Sequence, residues 1–321
     1  FVEVFLNAFD REVSYANDYA GVYVLMERIK RNENRVAVDR LGPSDNAEPE
    51  ITGGYILKSD KADPDLVGFQ TSRGTPRMIY GNAPKFWFSD PNGSQITPAQ
   101  RTWITHYYEL FEAELWAGNY DLLTGYPQYI DVDSFVDYWL FNIFAKNSEG
   151  AFNSQFMYKP RGGKLTMGPL WDFNASMEST WARDDDPTHW DCPDGWAQWN
   201  GLMTGQWGYQ LFKDPDHWQR WIDRWHNLRQ GSLSLTNVWA LIDSMSNELA
   251  ESQARNFAKW TAAPPRTSWA WEIENMKTWL SNRIDWIDGE LLGTPVLGHS
   301  GGLITNGLQL SVTGPENAVI Y

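Results

Sequence analysis

The sequence predicts an α+β fold, β-rich at its start and helical and rich in tryptophan in its second half. Three observations carry this. The first sixty residues alternate short apolar runs with polar turns. From about residue 97 onward apolar residues recur at helical spacing, and one strand pair interrupts the helices near residue 160. Hydrophobic residues make up 42% of the 321, enough for a substantial core in one large domain or two smaller ones.

"VEVFLN" and "AGVYVLMERI" read as the two strands of a hairpin, with a polar stretch containing "AND" between them, and "GGYILKSD" reads as a third strand. Residues 60–95 hold Pro, Gly and Asp at high density and read as a long irregular segment. "TPAQRTWITHYYELFEAELW" opens a helix with Thr97 as N-cap, Pro98 at the first helical position and Gln100 closing a capping box. Its apolar face is Ile104, Tyr108, Phe111 and Leu115. "DVDSFVDYWLFNIFAKN" is a second helix, expected to end near Asn147 and Gly150. "SQFMYK" and "KLTMGPLWDF" follow as strands joined by the turn "PRGG". After the acidic loop 183–196, "PDHWQRWIDRWHNLR", "NVWALIDSMSNELAESQARNFAKW" and "SWAWEIENMKTWLSNRIDWIDGELL" read as three helices. Beyond Gly293 the composition turns to Gly, Thr, Pro and Val, and a small β element begins. Both ends read as cut from a longer polypeptide.

The net charge of −15 argues against a nucleic-acid surface or an anionic membrane as main partner, since both need a basic patch. No apolar run reaches the roughly 18 residues of a membrane span. The single cysteine, Cys192, leaves no internal disulfide and no cysteine-based zinc site, and the five histidines are scattered. Nineteen tryptophans invite two readings. They pack helices together, or some form an aromatic platform for sugars. No Ser-His-Asp assembly is evident, and no motif supports a paired-carboxylate glycosidase.

The middle of the chain carries the chemistry. A helix leads to a loop with Glu149, a hairpin folds the chain back, and Asp172 stands at the end of its second strand. This topology can bring two distant acids together. Protein kinases use such an arrangement, one acid taking the hydroxyl proton and the other holding Mg²⁺ on the phosphates. Magnesium needs one or two carboxylates plus phosphate oxygens and water, so Asp172 with Asn153 or Asn174 would suffice. The plainer reading makes Asp172 a turn residue and Glu149 a solvated loop acid.

"NDYAGVYVLMERIKRNENRV" resembles the strand pair of the spore-coat-protein-H (CotH) kinase family, with its Gly-x-Tyr-x-x-x-Glu pattern at Gly21, Tyr23 and Glu27. "GGYILKSD" is similar to the family's next strand and places its lysine at Lys58. "SFVDYWLFNIFAKNSEGAFNSQFMYKPRGGKLTMGPLWDFN" resembles the core motif, a helix leading to Asn-x-Asp-Gly, then a strand pair, then Trp-Asp-Phe-Asp/Asn. The resemblance implies an atypical protein-kinase-like fold over residues 1–292, N-terminally incomplete. Residues 293–321 would be a linker and the start of a β-sandwich-like module. It implies ATP and Mg²⁺ as cofactors, and a coat or surface protein with a serine or threonine acceptor as partner. The setting it implies is extracellular or at a bacterial cell surface. Carried over by position, Asp172 binds Mg²⁺, Glu149 stands at the catalytic aspartate, Lys58 neutralises phosphate charge, and Glu27 orients that lysine or the nucleotide.

The sequence departs from the family in one place: Asn-x-Asp-Gly reads "NSEG" here, Asn147 to Gly150. The extra methylene moves the carboxylate by roughly 1 Å, a displacement that can cost about 10²-fold in catalysis. An active kinase, a weakened one and a non-catalytic surface or matrix protein with a Trp-rich binding lobe are all compatible with that change. No phosphate-binding loop of the GxxxxGK[ST] or GxGxxG kind occurs, so side chains and Mg²⁺ must hold a nucleotide. Two further features are expected to matter less. Clustered aspartates in 183–196 suit Ca²⁺ or a solvated loop. Lys30, Arg31, Arg35 and Arg40 form a basic run that suits a phosphate, an acidic protein or plain solvent.

Overall fold

The structure is a computed structural model that describes residues 1–9, 11–60, 67–72, 86–151, 153–179, 183–191, 203, 206–262, 265–291, 296–297 and 311–313. In chain order the elements begin with β1 (Val2–Phe5), α1 (Tyr15–Asp18), β2 (Tyr19–Tyr23), β3 (Tyr55–Ser59), β4 (Gly68–Phe69) and β5 (Phe86–Asp90). Next come α2 (Pro98–Ala117), α3 (Val132–Ala145), β6 (Gln155–Lys159) and β7 (Thr166–Met167). Helices α4 (Gln206–Leu211), α5 (Pro215–Arg229), α6 (Leu235–Leu249), α7 (Ser252–Lys259) and α8 (Trp269–Glu290) follow, then β8 (Val296–Leu297) and β9 (Val312–Thr313). The α+β class and the order of sheets before helices match the sequence reading.

The central sheet runs β4-β5-β3-β6-β7, with every neighbouring pair antiparallel. Strand alternation gives it two apolar faces. Tyr55, Leu57, Phe86, Phe88 and Met157 join the main core with Ile104, Tyr108 and Phe111 of α2, the face read from its spacing. Ile56 and Phe156 form a second, smaller core with Val36 and Val38, flanked by Ile29, Tyr158 and Trp171. Lys58 points to this second side, since it pairs in register with Trp87 of β5 and Phe156 of β6.

Helix α2 begins as expected. Thr97 accepts from the Gln100 backbone N–H, the Gln100 side chain returns a bond to Thr97, and Gly118 ends the helix in the left-handed region at φ 69°. The turn "PRGG" also forms, closed by Gly163 N–H donating to the Pro160 carbonyl at 3.1 Å.

The first hairpin forms as read, β1 and β2 pairing antiparallel in a two-stranded sheet of their own, docked on α7. Val22 N–H donates to Asn256 Oδ1, Trp260 Nε1–H to the Ala20 carbonyl, and Arg255 makes a two-pronged pair with Glu3. Several elements differ from the sequence reading. β2 stops at Tyr23, so "VLMERI" leaves the hairpin as a strap without secondary structure. The "irregular" segment 60–95 contributes β4 and β5, while residues 61–66 and 73–85 lie outside the described residues. The strand read through "KLTMGPLWDF" ends at Met167, where Pro169 has no N–H to continue a ladder. The long helix read over 237–260 is two, α6 and α7, although neither glycine nor proline marks the break. α4 was not foreseen.

The tryptophans of α5 are interior. Trp218, Trp221 and Trp225 stack successively at 5.3 and 5.9 Å, and Trp221 and Trp225 are fully buried. Trp190 meets Trp218, Trp221 and Trp286 edge-on. Their indoles fill the space between α5, α8 and α3, where Phe144 reaches Trp225. Of the two readings of the tryptophans, packing holds for this row. Among the described residues no helix is long and apolar enough to cross a membrane.

Candidate active site

The site begins at the end of α3. Asp131 caps its start by accepting from Ser134 N–H at 3.1 Å. The end falls near Asn147, as read: Lys146, at φ 48°, is the left-handed cap. Asn147 to Gly150 therefore form a separate loop outside the helix. Asn147 is buried and organises that loop. Its amide Nδ2 donates to Asn142 Oδ1 at 3.0 Å and to the Asp172 carbonyl at 3.3 Å, while its Oδ1 accepts from Glu149 N–H. Gly150 is required here, because a Cβ on it would lie 2.0 Å from Asn142 Oδ1.

Backbone bonds clamp this loop to the segment after β7. Ser148 N–H donates to the Ala175 carbonyl at 3.0 Å, and Met177 N–H to that of Ala145 at 3.0 Å. Asp172 comes three residues before the first of these anchors, at φ 60°, a conformation that non-glycine residues adopt rarely and that aspartate and asparagine tolerate best. The turn exposes the Asp172 and Asn174 side chains.

Asn153 and Ser154 then join the two acids. Asn153 Nδ2 donates to Glu149 Oε2 at 3.0 Å, and Ser154 Oγ donates to Asp172 Oδ2 at 3.3 Å. Both joining residues are buried, whereas Glu149 is half-buried and Asp172 exposed. Glu149 and Asp172 thus bond to adjacent residues, Asn153 and Ser154, with Asn174 two residues beyond Asp172.

A cleft of about 500 Å³ opens on the second face of the sheet; Trp171 lines it, while Glu149, Asn153, Asp172 and Asn174 do not. Trp171, the residue before Asp172, forms one wall with Phe156, which it meets edge-on at 5.8 Å. Lys58, Ser89 and Asn92 line the sheet side, and Met26 to Ile29 of the strap close the other. Lys58 and Glu27 both face this cleft without touching each other's charge. Lys58 Nζ lies 3.3 Å from Asp60 Oδ2. Glu27 pairs with Lys30 at 2.7 Å and with Arg35, and these cations hold its carboxyl below the ordinary carboxylate range.

Among the described residues no three His, Cys, Asp or Glu side chains gather as a metal cluster. Asp172 with the Asn153 and Asn174 amides would offer oxygen donors including one carboxylate. That set suits magnesium completed by phosphate oxygens and water better than an all-protein cage. In the acidic loop, Asp184 accepts from Ser179 N–H and Oγ–H, and Asp186 from Thr188 N–H and Oγ–H. These two carboxylates are engaged in turns, and Asp194 lies outside the described residues.

Two buried cations support the site, and no spacing in the sequence marks them. Lys146 Nζ donates to the Asp186 and Thr188 carbonyls at 2.5 and 2.8 Å. Arg283 of α8 donates to the Ile143 carbonyl at the end of α3, and to those of Pro187 and His189, each at 2.7 Å. Both sit at the negative end of the α3 dipole, which favours cations.

With this geometry in view, a comparison with known families is decisive. The CotH kinase protein family matches residues 1–287. The chain belongs to the CotH kinase family. No curated protein matches the chain. Membership gives the Asn147–Gly150 loop and the Trp171–Asn174 turn a shared context, and in this CotH family member the two are bonded to each other.

Proposed function

We propose that this chain is a Mg²⁺-dependent protein kinase on an atypical kinase-like fold. It transfers the γ-phosphoryl group of ATP to a serine or threonine of a coat or surface protein. One observation carries the reading: neighbouring residues Asn153 and Ser154 bond to Glu149 and Asp172, and Trp171, the residue before Asp172, lines the cleft that holds Lys58. Trp171, Phe156 and Ile29 offer the apolar walls that a nucleobase needs, and Lys58 offers charge for its phosphates.

In this reading Asp172, Asn153 and Asn174 hold Mg²⁺, which when bound supplies neutralisation of phosphate charge. Glu149 accepts the proton of the substrate hydroxyl as its oxygen bonds to the γ-phosphorus. The bond from that phosphorus to the bridging oxygen breaks, and ADP leaves with the electron pair. The longer glutamate keeps its aim because Asn153 holds its carboxylate. Glu27 positions the strap through Lys30 and Arg35 rather than through Lys58. The protein then works outside the cell or at a bacterial surface.

The test is transfer of label from γ-labelled ATP, with Mg²⁺, to an added serine-containing protein or to the chain itself. Asp172→Asn and Glu149→Gln should each abolish it. Labelling that survives Asp172→Asn refutes the assignment, and a wild-type chain that binds ATP yet labels nothing is a non-catalytic relative.

A further inference from the structure

The cations around the cleft divide into two kinds. Lys58 faces Asp60 at 3.3 Å, Lys30 faces Glu27 at 2.7 Å, Arg35 also meets Glu27, and Arg31 lies 3.5 Å from Asp90. Each has a carboxylate within ion-pair reach. Arg28 also lines the cleft, yet among the described residues it makes no hydrogen bond and no ion pair. In a chain of net charge −15, acids are abundant and an arginine at a cleft without one is conspicuous.

Its position sharpens the contrast. Arg28 is presented by the strap, on the wall facing Lys58 and the sheet. The strap is anchored at both ends. On one side β2 is bonded to α7, and on the other Arg31 reaches Asp90 of β5. Met26 and Ile29 line the same stretch of the cleft as Arg28. The sequence has no phosphate-binding loop of the GxxxxGK[ST] or GxGxxG kind.

We propose that Arg28 is a phosphate-binding residue of the cleft, gripping the nucleotide's outer phosphates from the strap side while Lys58 meets them from the sheet. A guanidinium suits this task because its planar fork donates two parallel bonds to phosphate oxygens, and Lys offers only a point charge. The inference rests on the kinase reading and extends it to a residue that neither motif nor spacing selects.

The experiment is calorimetric titration of the full chain with Mg-ATP, Mg-ADP and adenosine, for wild type, Arg28→Gln and Arg28→Lys. Arg28 is exposed, so the variants should unfold at the wild-type temperature. Arg28→Gln should weaken Mg-ATP at least tenfold and leave adenosine unchanged, with Arg28→Lys recovering part of the loss. Wild-type affinity for Mg-ATP in Arg28→Gln overturns the inference and leaves the kinase reading standing. Equal weakening of ATP and adenosine also overturns it, since that marks a change in the cleft's shape. A wild-type chain that binds none of the three overturns both.

Discussion

Replacing Arg283 with methionine removes a guanidinium and keeps most of the side chain's bulk. The guanidinium is fully buried in α8 and donates to four carbonyls, three at 2.7 Å and that of Phe144 at 3.4 Å. Each bond from a charged donor contributes about 1.5–3 kcal/mol, but the cost of burying the charge offsets much of the sum. After the substitution, water can reach the carbonyls of Pro187 and His189 if their loop relaxes. The Ile143 carbonyl keeps the Lys146 N–H as a partner at 3.2 Å, whereas that of Phe144, in the last turn of α3, stays stranded at about 1–3 kcal/mol. The expected net loss is about 2 kcal/mol, measured as the change in unfolding free energy in urea, or a fall of about 5 °C in melting temperature. The loop at Asn147–Gly150 starts one residue after the α3 cap. Phosphoryl transfer should therefore also fall at temperatures where Arg283→Met remains folded. A loss below about 1 kcal/mol would show that the carbonyls find other partners, and would refute the view that Arg283 pins this junction.

Three other outcomes follow from the same coordinates. Gly150→Ala drives a methyl group into Asn142 Oδ1, the acceptor of Asn147, and should cost about 1–3 kcal/mol together with most of the phosphoryl-transfer activity; wild-type activity would contradict the Asn142–Asn147–Asp172 relay. Asn153→Ala frees the Glu149 carboxylate and should lower kcat about 10- to 100-fold in a labelling assay while leaving the melting temperature within a few degrees. His217 is buried with neither ring nitrogen hydrogen-bonded, and burial, aided by Arg220, pushes its pKa down to about 4. The unfolded chain takes up that proton first, so stability is intact above about pH 6.5 and falls as the pH drops to about 4, by about 3 kcal/mol. His217→Phe should flatten this part of the pH–stability curve, and an unchanged slope would count against a buried neutral imidazole.

Much of the architecture was legible because local physics governs it. The α2 capping box, its apolar face and the "PRGG" turn are set by residues within a few positions of one another. The candidate site was legible in outline for the same reason: a helix, a loop and a hairpin return the chain to its own neighbourhood. What escaped was decided by distant partners. The first hairpin docks on α7 because Asn256, Trp260 and Arg255, more than two hundred residues away, take its polar groups. Glu27 and Lys58 share a cleft but not an ion pair, because Lys30, Arg35 and Asp60 are closer competitors in sequence and space. Asn147 ends the helix as read, its N–H donating to the Asn142 carbonyl, but its side chain is also a buried relay, which depends on where Asn142 and Asp172 end up. Arg283 and Lys146 carry no local signature, since the carbonyls they bond lie about 40 to 140 residues away in sequence.

The central claim is that Asp172, tied to Glu149 through Asn153 and Ser154, forms one metal–nucleotide site with the cleft. Electron paramagnetic resonance with Mn²⁺ in place of Mg²⁺ tests it directly. The full chain with ATP should bind one Mn²⁺ with the spectrum of a nucleotide-bound ion, and Asp172→Asn should lose that signal while Asp185→Asn, in the acidic loop, keeps it. A signal that persists unchanged in Asp172→Asn, or that needs no ATP, would contradict the account.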